Sequence, residues 1–142
     1  LGDVYKRQVD ESGRSRTIGS ACIGTVRGDM HDIGKNLVKI MMEGSGLEVV
    51  DLGVDVTAEQ FVDTAIAQHC DIIACSSLLT TTMPEMRAVV ELTKTRGIRD
   101  QVKIFVGGAP ITQGYSDEIG ADVYTADAAS AARAAVKLLT KK

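Results

Sequence analysis

From Gly19 onward, short apolar, β-compatible runs alternate with segments of helical period, and that alternation leaves few folds open. The runs Ser20–Val26 (SACIGTV), Leu47–Leu52 (LEVVDL), Asp71–Ser76 (DIIACS), Val102–Val106 (VKIFV) and Asp122–Tyr124 read as five strands. DIIACS is apolar almost throughout, as a strand buried on both faces must be. A helix is expected over Asp32–Gly44, with Ile33, Leu37, Ile40 and Met41 on its apolar face, stopped by Gly44 and Gly46. A second is capped by Thr57 and runs through Gln68, with Phe61, Ala65 and Ile66 inward. A third starts at Pro84 and stops at Gly97; a short fourth lies near Ser116–Ile119. The last, rich in alanine, opens at Ala126-Asp127.

Strand–helix alternation with short connections implies a parallel sheet covered on both faces. Five such units in this length predict an α/β, flavodoxin-like (Rossmann-like) three-layer sandwich with a five-stranded sheet in the order 2-1-3-4-5. Right-handed crossovers bring the loops after strands one, three and four to one edge, where such sheets bind ligands. Arg27–Gly34, Ser76–Thr82 and Gly107–Ile111 should therefore converge, with Thr125–Ala128 beside them. Residues 19–142 are expected to form the domain. Residues 1–18, polar and rich in Arg, Gly and Ser, read as a leader or linker, with Leu1–Gln8 partly non-native on this reading.

Composition removes several functions. Sixteen basic against nineteen acidic residues leave a net charge of −3, with no surplus to draw the chain onto a phosphate backbone. The absence of Trp argues against base-stacking platforms, so no nucleic acid is expected. No apolar run approaches the ~20 residues that span a bilayer, so no membrane role is expected. Three cysteines, none in a C-x-x-C pair, and no secretory signal fit a cytoplasmic, reducing compartment.

The first functional loop reads Gly28-Asp29-Met30-His31-Asp32-Ile33-Gly34-Lys35-Asn36. It is not a phosphate loop: five residues, not four, separate the glycines, and Asn36 stands where a Mg²⁺-binding hydroxyl belongs. A phosphoacceptor receiver would need a carboxylate at the end of strand three, where this chain has Cys75-Ser76-Ser77. A closed zinc site fails because His69 and Cys70 sit at the opposite edge of the sheet from His31. What remains is one histidine beside one aspartate. A lone histidine is more often structural than a ligand. One imidazole nonetheless suffices if a macrocycle supplies the other equatorial ligands. Asp29 would then accept the proton on its far nitrogen.

Asp29-x-His31-x-x-Gly34 resembles the D-x-H-x-x-G signature of cobalamin-binding domains. GDMHDIGKN looks most like the methyl-transferring branch, namely methionine synthase and the corrinoid proteins of methanol, methylamine and methoxyarene metabolism. Ser76-x-Leu78 and Gly107-Gly108 are similar to that family's S-x-L and G-G elements, in the expected order. The resemblance implies cobalamin or a related corrinoid bound base-off/His-on, with His31 as lower axial ligand to cobalt and Asp29 and Thr82 completing a ligand relay. It implies a nucleotide tail flanked by Ser76, Leu78 and Thr80, with Gly107 and Gly108 leaving room. Met30, Asp32, Ile33 and Gly34 would surround the ligand loop, and Ala126, Asp127 and Ala128 would lie near the tail.

Cobalt would cycle between Co(I) and methyl-Co(III). The implied partners are a substrate-specific corrinoid methyltransferase, a second methyltransferase with a thiol or tetrahydrofolate acceptor, and a reductive activase. Members usually carry a helical domain ahead of the cobalamin domain; eighteen residues precede the first strand here. Two alternatives share the signature: an adenosylcobalamin-dependent mutase domain and a cobalamin-dependent sensor. Outside the signature, Met41, Met42, Met83 and Met86 are expected in the core and Lys35 in solvent. Asp32 and Asp127 are expected as helix caps.

Overall fold

The computed structural model describes residues 17–140; the expected leader up to residue 16 and Lys141-Lys142 lie outside the described residues. In chain order the elements are β1 (Gly19–Val26), α1 (Ile33–Gly44), β2 (Leu47–Val56), α2 (Ala58–Ala67), β3 (Ile72–Ser76), a 3₁₀ turn (Thr80–Thr82), α3 (Pro84–Thr95), β4 (Lys103–Gly107), α4 (Gln113–Ile119), β5 (Val123–Tyr124) and α5 (Ala128–Thr140). The strands are all parallel and ordered β2-β1-β3-β4-β5, as the alternation of runs predicts.

Burial of both sheet faces follows from the doubly apolar central strands. Cys22 and Val26 of β1, Ile73 and Cys75 of β3, and Ile104 and Val106 of β4 face one core with Phe61, Val62, Met86, Val89 and Val90 of α2 and α3. The intervening residues Ala21, Ile23, Ile72, Ala74 and Phe105 face the other, with Met42 of α1 and Ala131, Ala132 and Ala135 of α5. The alanines let α5 lie close to the sheet. Cys22, Cys70 and Cys75 are free and buried. Burial pushes the Cys75 thiol up to about 12, so it packs as a small apolar residue.

The helix termini follow local chemistry. Thr57 and Gln60 form a reciprocal capping box on α2. Thr112 caps α4 through the Tyr115 amide, so that helix starts before Ser116. Pro84 occupies the first turn of α3. Asp127 caps α5 by accepting from the Ser130 amide at 2.7 Å. Asp32 sits at the N-cap of α1 but makes no side-chain cap bond.

Beyond the Asp32 cap and the start of α4, four expectations need correction. β2 does not stop at Leu52; its pairing with β1 shifts twice, at Ile23/Gly24 and Gly24/Val26, and these bulges carry it on to Val56. On α2 the inward residues are Phe61, Val62 and Ala65, whereas Ile66 is exposed. Lys35 is buried at 3% exposure, its ammonium 2.9 Å from both carboxylate oxygens of Asp51 on β2 and 2.6 Å from Asn36 Oδ1.

The last correction is the largest. The expected apolar face of α1 is its outer one: Ile33, Leu37, Ile40 and Met41 are all exposed, from 40% for Met41 to 76% for Ile33. Val38 and Met42 face inward instead, with Lys35 alongside. Apolar residues lie on two faces of this helix. The period identifies the helix without choosing between them.

Candidate functional site

The three loops do converge at the carboxyl edge of the sheet, and one carboxylate ties two of them together. Asp29 is fully buried. Its Oδ1 accepts from His31 Nδ1 at 2.7 Å and from the His31 amide at 3.1 Å. Its Oδ2 accepts from the Leu78 and Leu79 amides at 2.7 and 3.2 Å and from Thr82 Oγ1 at 3.0 Å. Burial alone would raise the carboxyl pKa. Hydrogen bonds from the His31 ring, the Leu78 amide, the His31 amide and Thr82 outweigh it and hold the group down at about 2. The carboxylate is therefore ionised at any ordinary pH.

The backbone around Asp29 is equally fixed. Gly28 turns the chain at φ +86°, a conformation that favours glycine. Its amide donates to Asp55 Oδ1 at 2.7 Å, and the Asp55 amide donates to the Asp29 carbonyl at 3.0 Å. Asp55 is there because the bulges extend β2. Beneath the loop, the Thr25 hydroxyl donates to the His31 carbonyl at 2.6 Å.

The His31 side chain is 52% exposed. With Nδ1 committed to an ionised carboxylate, the neutral ring is protonated there. Nε2 keeps its lone pair and has no hydrogen-bond partner among the described residues. Met30 and Ile33, close to His31 in the sequence, are both exposed.

A cavity of about 100 Å³ opens beside the loop, between the sheet, α1 and α5. Its lining includes Ile23, Ala74 and Phe105 from mid-strand, Gly34, Val38 and Met42 from α1, and Ser76 and Gly107 at the strand ends. Thr125, Ala126, Asp127, Ala128 and Ala131 close the side towards α5. The floor is apolar and the polar residues gather at the carboxyl edge.

Of the residues singled out from sequence, Gly34, Ser76, Gly107, Ala126, Asp127 and Ala128 line this cavity. Leu78 meets Asp29 through its amide, and Thr80 stands exposed at the start of the 3₁₀ turn. Gly108 serves a different contact: at φ +129°, a Cβ there would overlap the Ser77 carbonyl oxygen. Among the described residues, no group of three or more His, Cys, Asp or Glu side chains is placed to hold a metal ion. A metal here would have to bring most of its own ligands.

Sequence reasoning missed Ser77. It is fully buried, its Oγ 2.8 Å from Thr82 Oγ1 and 3.1 Å from the Leu79 carbonyl. It also missed Asp55 and Thr25. No spacing rule marks these three, since each contact forms only once the loops have folded.

Comparison with known proteins agrees with this arrangement. The model of the B12-binding domain family matches residues 19–136. The chain is 45% identical over 137 residues to dimethylamine corrinoid protein 3 of Methanosarcina mazei, covering 96% of this chain and 82% of that one. It superposes on the monomethylamine corrinoid protein of Methanosarcina barkeri with a TM-score of 0.82 at 34% identity, covering 96% of this chain and 61% of the other. With the methanol:cobalamin methyltransferase complex of Methanosarcina barkeri the TM-score is 0.86 at 29% identity, covering 93% and 50%. The chain spans only 58–65% of the length of several other methylamine corrinoid relatives. An unpartnered imidazole nitrogen, a cavity lined by Gly34 of the same motif and these matches together establish that the chain belongs to the B12-binding family and is a cobalamin-binding domain of the corrinoid-protein type.

Proposed function

We propose that this domain carries a methyl group on a corrinoid, taking it up at Co(I) from a substrate-specific methyltransferase and yielding it as methyl-Co(III) to a second one. The corrinoid supplies the nucleophilic metal. His31 would hold the cobalt through Nε2 in place of the cofactor's own benzimidazole, and the cavity between α1 and α5 would hold the released nucleotide tail. The observation that carries this reading is the imidazole itself, oriented by an ionised, buried Asp29 and presenting a free Nε2, three residues before Gly34, which lines that cavity.

Each residue has a definite task. Asp29 fixes the tautomer and raises the basicity of Nε2. Thr82 donates to Asp29 from behind. Ser76, Gly107 and the Ala126–Ala128 turn border the tail. Met30, Asp32 and Ile33, exposed on either side of His31 in the sequence, would meet the corrin. Gly108 lets the loops after β3 and β4 stay in contact. The methyl acceptor is a thiol or a tetrahydrofolate, and a reductive activase restores Co(I) after oxidation. Relatives named for methylamines and for a methanol methyltransferase complex support the class of partner. The domain works in the cytoplasm on this reading. Among the described residues no helix is long and apolar enough to cross a membrane.

The test is spectroscopic. Protein labelled with ¹⁵N-histidine is loaded with cob(II)alamin, and the nitrogen splitting in its electron paramagnetic resonance spectrum is read. A doublet from the labelled imidazole is expected, lost in His31→Ala. A triplet from the unlabelled benzimidazole would overturn the proposal.

A further inference from the structure

The hydrogen bonds behind Asp29 contain a choice that the geometry leaves to Ser77. Two hydroxyl protons, those of Ser77 and Thr82, serve more contacts than they can fill. Thr82 Oγ1 lies 3.0 Å from Asp29 Oδ2, 3.0 Å from the Leu79 carbonyl and 2.8 Å from Ser77 Oγ. Ser77 Oγ lies 3.1 Å from the same Leu79 carbonyl. Both side chains are buried, so water does not make up the difference.

Each hydroxyl donates once. With the 2.8 Å contact between the hydroxyls made, a Thr82 that accepts from Ser77 can donate to Asp29 or to the neutral Leu79 carbonyl, both at 3.0 Å, and the charged carboxylate is the stronger acceptor; two arrangements therefore compete. In the first, Ser77 donates to Thr82 and Thr82 donates to Asp29. In the second, Ser77 donates to the Leu79 carbonyl and Thr82 donates to Ser77, leaving Asp29. The carboxylate is already crowded: five donors surround it, counting Thr82, while an ionised Asp offers about four lone-pair sites. Four of those donors are fixed, three as amides and one as the His31 ring. Only Thr82 has another acceptor.

We infer that Ser77 is a positioning residue that directs the Thr82 hydroxyl towards or away from Asp29, and so sets how strongly Asp29 holds the His31 imidazole. A proton from Thr82 draws charge out of the carboxylate and weakens its bond to Nδ1–H. Withdrawing that proton strengthens the bond and makes Nε2 a better donor. For the bound cofactor, this deepens the reading of His31 as axial ligand and rests on it. The hydrogen-bond choice itself belongs to the protein alone.

The consequence is a pair of opposite effects. Thr82→Val removes the competing donor and keeps the side-chain shape. Ser77→Ala removes the alternative acceptor and leaves Thr82 with Asp29 as its charged partner. In the apoprotein at one fixed neutral pH, the Nδ1–H proton resonance of His31 should move downfield in Thr82→Val and upfield in Ser77→Ala. Thr82→Ser should restore the wild-type position. In cobalamin-loaded protein the Co(II)/Co(I) midpoint potential should become more negative in Thr82→Val and less negative in Ser77→Ala. A role in packing alone would loosen the loop in both variants and move the resonance one way. Shifts of the same sign, or a Ser77→Ala resonance at the wild-type position in a folded protein, overturn the inference. If the apoprotein shifts are opposite but wild-type protein shows no imidazole–cobalt ligation, the proposed function fails while the hydrogen-bond switch stands.

Discussion

Replacing Asp29 with Asn removes one negative charge and changes little else in volume. The structure gives the size of the effect. Folding takes the carboxyl from an ordinary value of 3.8 down to about 2. At about 1.36 kcal/mol per pKa unit, the ionised form is favoured in the folded state by about 2 kcal/mol. The sign follows from the depressed folded value: this stability is fully present above the unfolded pKa and is lost as pH falls through the folded one. In urea titrations of the apoprotein, Asp29→Asn should therefore cost about 2 kcal/mol or somewhat more at pH 7. One amide hydrogen would also face the donors of Leu78 and Leu79. With a urea slope of about 1–3 kcal/mol per molar, the midpoint should fall by about 1–2 M. Roughly half of the charge-dependent part should survive at pH 3, and almost none near pH 1. A stability difference that stays constant from pH 7 to pH 3 would refute the claim that the buried network stabilises the charge rather than the shape.

Other perturbations separate the parts of the site. Gly34→Leu places a side chain where a Cβ meets nothing within 4 Å, so the helix should gain up to about 1 kcal/mol by thermal unfolding. Because Gly34 lines the cavity, cobalamin affinity should fall at least about tenfold by spectral titration, with binding of the tail-less cobinamide little changed. Gly108→Ala should cost about 2–3 kcal/mol by chemical denaturation, since a methyl group overlaps the Ser77 carbonyl at a backbone angle glycine favours. Asp51→Asn strands the buried Lys35 ammonium with a neutral partner and should cost about 2–3 kcal/mol; Lys35→Met, which removes the buried charge, should cost less. In hydrogen exchange on the apoprotein, the His31 and Leu78 amides should be protected to the level of β3; exchange at loop rates would contradict a loop fixed by Asp29.

The sheet order was legible because Ile72–Cys75 and Ile104–Val106 are apolar at every position, which only a doubly covered parallel strand requires. Once that order is fixed, crossover handedness alone predicts that Gly34, Ser76, Gly107 and Ala126 meet, and they do. What stayed hidden depends on contacts the chain makes only after folding. Gly53 and Asp55 look like the end of a strand, yet bulged pairing carries β2 past both. A lysine in a helix's first turn looks solvated, yet Asp51 on the neighbouring strand buries Lys35. Ser77 reads as one more hydroxyl in a run of Ser and Thr. Its Oγ reaches Thr82 only because a 3₁₀ turn folds the loop back on itself.

The division of labour within the β3 loop has a consequence for how the site works. Ser76 borders the cavity, while Ser77, Leu78, Leu79 and Thr82, immediately after it, engage the Asp29 carboxylate or its hydroxyl partners. Ser76 at the cavity and the groups that hold the His31 imidazole through Asp29 therefore lie on one short segment. Neither can shift without moving the other. Ordering this loop is part of folding, because every hydrogen bond to the buried carboxylate that organises it comes from the chain itself. A ligand entering the slot thus meets an imidazole already aimed and a tautomer already chosen, and little of its binding energy goes into arranging them. The same rigidity is why a single hydroxyl proton behind Asp29 can matter. Where four of five donors cannot move, the fifth is the one adjustable contact left to the ligand.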